Sequence, residues 1–122
     1  MKADLHNHSY YSDGVLSPSE VVKLANQAGC DLFSLTDHDT TDGIAEAQLE
    51  ADKFNLNLVN GVEITALWQN MAIHILGLGI DIKNDILQTG LEHNQKLRKE
   101  RAEKIALGLW RSGIKDALEK TQ

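Results

Sequence analysis

The chain has 122 residues, of which 42% are hydrophobic and 25% charged, enough for one globular domain with a buried core. No run approaches the roughly 18 apolar residues of a membrane span, and the opening MKADLHNHS lacks the apolar core of a secretory signal, so a cytoplasmic location is expected. A net charge of −6 argues against a broad basic surface tracking a nucleic-acid backbone, but not against a phosphorylated substrate, because bound divalent cations reverse the local sign.

Residues 2–7 are apolar at alternate places and predict a short first strand. Side chains at i and i+2 of a strand point the same way, so His6 and His8 would present both imidazoles to one point. Asp13 follows five residues later, in a Ser-Asp-Gly turn. Ser17-Pro18-Ser19-Glu20 then reads as a helix start, with Ser17 as cap, Pro18 at the first helical position and Glu20 completing a capping box; the helix should stop at Gly29. The single cysteine, Cys30, rules out an internal disulfide and reads as a small buried residue at the start of the next apolar run. That run, DLFSLT over residues 31–36, predicts a second strand, followed by the polar turn DHDTTDG with His38 and a helix over 44–55.

LNLVNGVEI, residues 56–64, predicts a third strand with Glu63 near its end, and MAIHILGLGI, residues 71–80, a fourth that contains His74. A short polar turn around Gln69 and Asn70 would join them. Strands alternating with helices argue for an α/β parallel sheet or barrel, with the chemistry at the C-terminal strand ends. From Asn84 onward one long helical pattern extends to Gly113, and IKDALEK starts another helix. The chain thus divides into residues 1–82, carrying the ligand-type residues, and a helical segment, 83–122. Four strands cannot close a barrel, and a bare sheet edge invites pairing, so homo-oligomerisation through that edge is an open expectation.

Taken singly, His74 is a core histidine, His38 and Asp13 are turn residues, and Glu63 is a cap or ion-pair partner. Together with the His6–His8 pair, they would require five separate coincidences at strand ends. We therefore read His6, His8, Asp13, His38, Glu63 and His74 as metal ligands. Imidazole mixed with carboxylate suits zinc, manganese, iron or magnesium. Glu63 could bridge two ions, and ions about 3.5–4 Å apart are a recurring device for phosphoester hydrolysis that needs no serine or cysteine nucleophile. Asp37, Asp39 and Asp42 either orient ligating imidazoles or cap the following helix. His93, in polar helical surroundings, reads as a surface residue. Arg98 and Arg101 are three apart on one helix face and suit capture of a second phosphate, with a solvated charged face as the alternative.

The segments DLHNHSYYSDG, LTDHDT, GVEI and IHILGLGID together resemble the polymerase and histidinol phosphatase (PHP) domain superfamily. RKERAEKIALGL, with Arg98 and Arg101, is similar to the branch of nucleoside 3′,5′-bisphosphate phosphatases and 5′-3′ exoribonucleases. The resemblance implies the N-terminal part of a distorted barrel of seven β/α units, followed by the start of a helical insertion. It implies up to three divalent ions: one on His6, His8 and Glu63, a second on Glu63 and His74, a third on Asp13 and His38. The implied substrate is a small phosphorylated nucleotide or a short RNA 5′ end, hydrolysed by metal-activated water. A histidinol-phosphatase-like or polymerase-associated phosphoesterase and a non-catalytic metal-binding module are the rivals. The family's later His-Pro-Gly and Ser-Asp-x-His ligand turns do not occur in these residues, so a fragment, weak or inactive alone, is expected.

Overall fold

The computed structural model describes residues 1–111, with side chains through Gly108, so IKDALEK lies outside the described residues. Its first half is built from two βα units. Strand β1 (Ala3–Asp4) pairs in parallel with β2 (Leu32–Phe33), and β2 with β3 (Asn57–Leu58), in the register Ala3, Leu32, Asn57. Helix α1 (Pro18–Gln27) and helix α2 (Ile44–Lys53) make the two crossovers. Ser17 Oγ accepts the Glu20 N–H at 3.2 Å, and Gly29 takes the left-handed conformation (φ 81°) beyond the helix end, as the sequence predicts. Val22 and Ala25 of α1, Ala47 and Ala51 of α2, and Phe33, Leu35 and Leu56 form the apolar core. The alanines let the helices approach each other closely. Cys30 packs against this core but is only half-buried, short of the full burial expected of it.

Each predicted strand of this half shrinks to two paired residues, because the ladder is replaced beyond them by other hydrogen bonds. Past β1, for example, the Asn7 N–H donates to Thr36 Oγ1 and the Thr36 N–H to the Asn7 carbonyl. The predicted strand over 56–64 is two strands in different sheets. Val59 and Asn60 break it, and β4 (Gly61–Trp68) starts a separate antiparallel hairpin with β5 (Met71–Leu78). The architecture is mixed α/β, so the strictly parallel arrangement suggested by alternation holds only for β1 to β3. Gln69 and Asn70 both have positive φ (50° and 64°), the backbone of the tight turn whose twist matches a two-residue hairpin.

A parallel bridge between His38 and Glu63 ties the two halves together: the Asp39 N–H donates to the Glu63 carbonyl and the Glu63 N–H to the Asp37 carbonyl. Helix α3 (Asp85–Arg111) lies against this junction. It buries Leu91, Ala102 and Ala106, while Asn94, Gln95 and Arg98 bond to Asp39 and Thr65.

Candidate metal centre

All six predicted ligands converge beyond the C-terminal ends of β1 and β2. His6 and His8 get there without a strand, since β1 stops at Asp4, yet both rings face Glu63. His6 Nε2 lies 2.5 Å from Glu63 Oε1 and His8 Nε2 lies 3.9 Å from the same oxygen. The other oxygen, Oε2, faces His38 Nδ1 at 2.7 Å and His74 Nδ1 at 3.4 Å. Asp13 closes the cluster, 3.1 Å from His38 Nε2 and 3.3 Å from His8 Nδ1. Three trios result, each with ligand-type atoms within 4.8 Å of one another: His6, His8, Glu63; His8, Asp13, His38; and His38, Glu63, His74. Glu63 is buried and serves two of them, as a bridging carboxylate must.

The residues fit divalent cations. Four imidazoles and two carboxylates form a mixed nitrogen and oxygen donor set. His38 Nδ1 is buried with no hydrogen-bond partner among the described residues, although Glu63 Oε2 is near: the pair is misdirected for a hydrogen bond. A cation would satisfy both atoms. The His8 pKa lies below the ordinary 6.5, chiefly because burial disfavours the charged ring; His38 and His6 reinforce this, and Asp13 and Glu63 oppose it. The shift favours the neutral ring, the form that can ligate a cation. His74 is exposed on its strand, not a core histidine, and His93 is a surface residue as expected.

Glycine at position 14 is required by close approach. A Cβ there would stand 2.4 Å from the His8 carbonyl oxygen, so the turn carrying Asp13 is pressed onto the backbone of a second residue of the cluster.

The three aspartates of the 37–43 turn separate in role. Asp37 is buried and accepts from Ser9 N–H, Ser9 Oγ and Ser12 Oγ at 2.6, 2.6 and 2.8 Å. Asp39, fully buried with a strained φ of 54°, accepts from Thr65 N–H and Asn94 Nδ2 at 2.9 Å each and from Arg98 Nε at 2.8 Å. Burial alone would raise the Asp39 pKa, but Thr65, Asn94 and Arg98 hold it below the ordinary aspartate value. Neither residue caps α2. Asp42 does not either: Gly43 occupies that position and no side-chain cap bond forms.

The profile of the PHP domain matches residues 4–108. The chain belongs to the PHP domain family. It is 42% identical over 118 residues to a 5′-3′ exoribonuclease of Haemophilus influenzae, covering 97% of this chain and 43% of that protein. It is also 42% identical over 111 residues to a 3′,5′-nucleoside bisphosphate phosphatase of Chromobacterium violaceum, covering 91% of this chain and 39% of that one. A solved structure from Bifidobacterium adolescentis, described as a candidate metal-dependent phosphoesterase, superposes with a TM-score of 0.85 at 29% identity, over 91% of this chain and 39% of the other. This PHP chain thus spans about two fifths of the length of the curated relatives it matches.

Beside the PHP cluster opens a cleft of about 760 Å³, lined by Asp13, His38 and His74 of the cluster, by Tyr11 and Asp42, and by Gln95, Arg98 and Lys99 of α3. The structure separates the predicted arginine pair. Arg98 lines the cleft but spends its Nε on Asp39 and its terminal NH2 on Thr65 Oγ1, and Arg101 is exposed outside the lining. Lys99 takes the place expected for Arg101. Sequence reading also missed Tyr11, Asn94 and Gln95. The available signal was the stripe 91, 94, 95, 98, 102, one helix face combining apolar and bonding residues.

Proposed function

We propose that this chain forms the N-terminal part of a metal-dependent phosphoesterase acting on phosphorylated nucleotides, of the bisphosphate-phosphatase or 5′-3′ exoribonuclease kind named for its relatives. The observation that carries this reading is the division of Glu63, with one oxygen toward His6 and His8 and the other toward His38 and His74, beside a cleft whose lining includes Arg98 and Lys99. In this reading, His6, His8 and Glu63 hold one ion, Glu63 and His74 a second, and Asp13 and His38 a third. Bound divalent ions, for which manganese, iron, zinc and magnesium are all candidates, would lower the pKa of water and neutralise phosphoryl charge. The protein's own groups do the rest. Lys99 and the remaining terminal nitrogen of the Arg98 guanidinium attract a second phosphate in the cleft that Tyr11 also lines. Residues 1–82 carry the metal centre and the segment from 83 supplies the substrate-facing wall.

The test is metal content followed by turnover. The purified chain should retain manganese, iron or zinc by elemental analysis, with uptake reduced in His8→Ala and abolished in Glu63→Ala. Phosphate release from a 3′,5′-nucleoside bisphosphate, or nucleotide release from a 5′-phosphorylated RNA, should need added manganese and stop with chelator. Turnover belongs to the full-length protein: hydrolysis there that is indifferent to chelator would sink the metal-dependent reading, and metal uptake there with no ester turnover would favour a binding module.

A further inference from the structure

We infer that Asp37 and Ser12 fix the tautomer of His8, and so commit that ring to the ion beside His6 and Glu63 instead of the one beside Asp13 and His38. The inference rests on the metal-centre reading above. Two of the three ligand trios share His8, yet a neutral imidazole has one lone pair to give.

Counting hydrogens decides which. The Asp37 carboxylate only accepts: Oδ1 receives the Ser9 N–H at 2.6 Å and the Ser12 hydroxyl at 2.8 Å, while Oδ2 receives the Ser9 hydroxyl at 2.6 Å. Ser12 owns one O–H, and Asp37 takes it. The Ser12 oxygen therefore faces His8 Nδ1, 3.4 Å away, as an acceptor, and the contact forms only when Nδ1 carries the hydrogen. The lone pair is then on Nε2, the nitrogen that faces Glu63 Oε1. Asp37 thus acts on His8 as a carboxylate acts on a metal-bound histidine, with a hydroxyl interposed. It is a positioning residue, next in sequence to the ligand His38.

The same counting predicts which substitutions are tolerated. The Ser9 N–H requires an oxygen at the Oδ1 position, so Asp37→Asn must turn its amide oxygen there and still accept from Ser12. Ser12→Thr keeps the hydroxyl, and Ser12→Ala deletes it.

The experiment is a nitrogen-15 imidazole spectrum of the metal-free 122-residue chain, taken above the ordinary imidazole pKa range so that the rings are neutral, with manganese titrated in parallel. His8 should be protonated on Nδ1 in the wild type, Asp37→Asn and Ser12→Thr. Ser12→Ala should show mixed tautomers and bind manganese about 10-fold more weakly, the lower end of the range for losing a hydrogen-bond partner of a metal ligand. His8 protonated on Nε2 in a wild-type chain that takes up manganese would overturn the inference alone. So would a Ser12→Ala protein with wild-type tautomer and affinity. A wild-type chain that binds no manganese would overturn the metal-centre reading, and the assignment to an ion with it. The wild-type spectrum decides the tautomer even where Ser12→Ala fails to fold.

Discussion

The two halves of the molecule are stabilised differently. Residues 3–58 bury a contiguous apolar cluster between three parallel strands and two helices. The hairpin β4–β5 buries little beyond Val62 and Glu63 at its base, and leaves Leu67, Trp68, Met71 and Ile75 exposed. The candidate metal centre straddles the seam, with His6, His8, Asp13 and His38 on the packed side and Glu63 and His74 on the hairpin. One half is held by hydrophobic burial; the other is held to it by polar bonds through Asp39, Glu63 and α3. Substitutions should therefore rank by which of these they touch.

The largest effect is expected in the packed half. Phe33 is fully buried in the core cluster, and Phe33→Ala should cost about 3–5 kcal/mol in urea unfolding through lost transfer energy and the cavity left behind. A cost below about 1 kcal/mol would mean that the parallel half is not the stabilising unit.

The seam comes next. Asp39→Ala removes the acceptor for Thr65, Asn94 and Arg98 at once, and should cost about 2–3 kcal/mol, discounted because the Arg98 side chain is half-exposed. Its signature is dependence on pH. The folded pKa of Asp39 is depressed, so its contribution is fully present above the unfolded aspartate value near about 3.9 and is lost as pH falls through the lower folded value. The gap between wild type and Asp39→Ala should narrow on acidification and stay constant at neutral pH. A constant gap throughout would show that the loss is one of packing.

Gly14→Ala sharpens the contrast from the packed side. Its Cβ has no space beneath the His8 carbonyl, so the turn must lift, at about 1–2 kcal/mol, near the lower end of overpacking costs. Metal uptake should fall more than stability does, because Asp13 moves with the turn. Equal losses in both would place Gly14 with the fold alone.

Features set by neighbouring residues were legible in the sequence: the Ser17-Pro18 cap, the Gly29 stop, the polar Gln69-Asn70 turn and the His6–His8 spacing. That spacing was informative although its premise was too strong, since the strand ends at Asp4 and both rings still face Glu63. The break before Gly61 was not read from the sequence: a Cβ there would stand 2.3 Å from Ser34 Oγ, a close approach to a residue distant in the chain. What was not legible depends on residues distant in sequence. Nothing in the local sequence of Arg98 shows Asp39, 59 positions away, accepting from its Nε. Likewise the sequence left Asp37, Asp39 and Asp42 between orienting imidazoles and capping the helix, because the preference for aspartate at a cap is statistical, whereas the bond either forms or does not.

The smallest effect is expected at the tip of the hairpin, and it tests the comparison most directly. Trp68 pairs with Met71 across the turn, both side chains are largely exposed, and neither touches the apolar cluster of the packed half. If the hairpin is attached by its base, Trp68→Ser should change stability by no more than about 0.5 kcal/mol and leave metal uptake unchanged. Stability reads only what the chain buries by itself. A cost above about 1 kcal/mol that grows with protein concentration would instead show that a second copy covers this face, the oligomer that an open sheet edge invites.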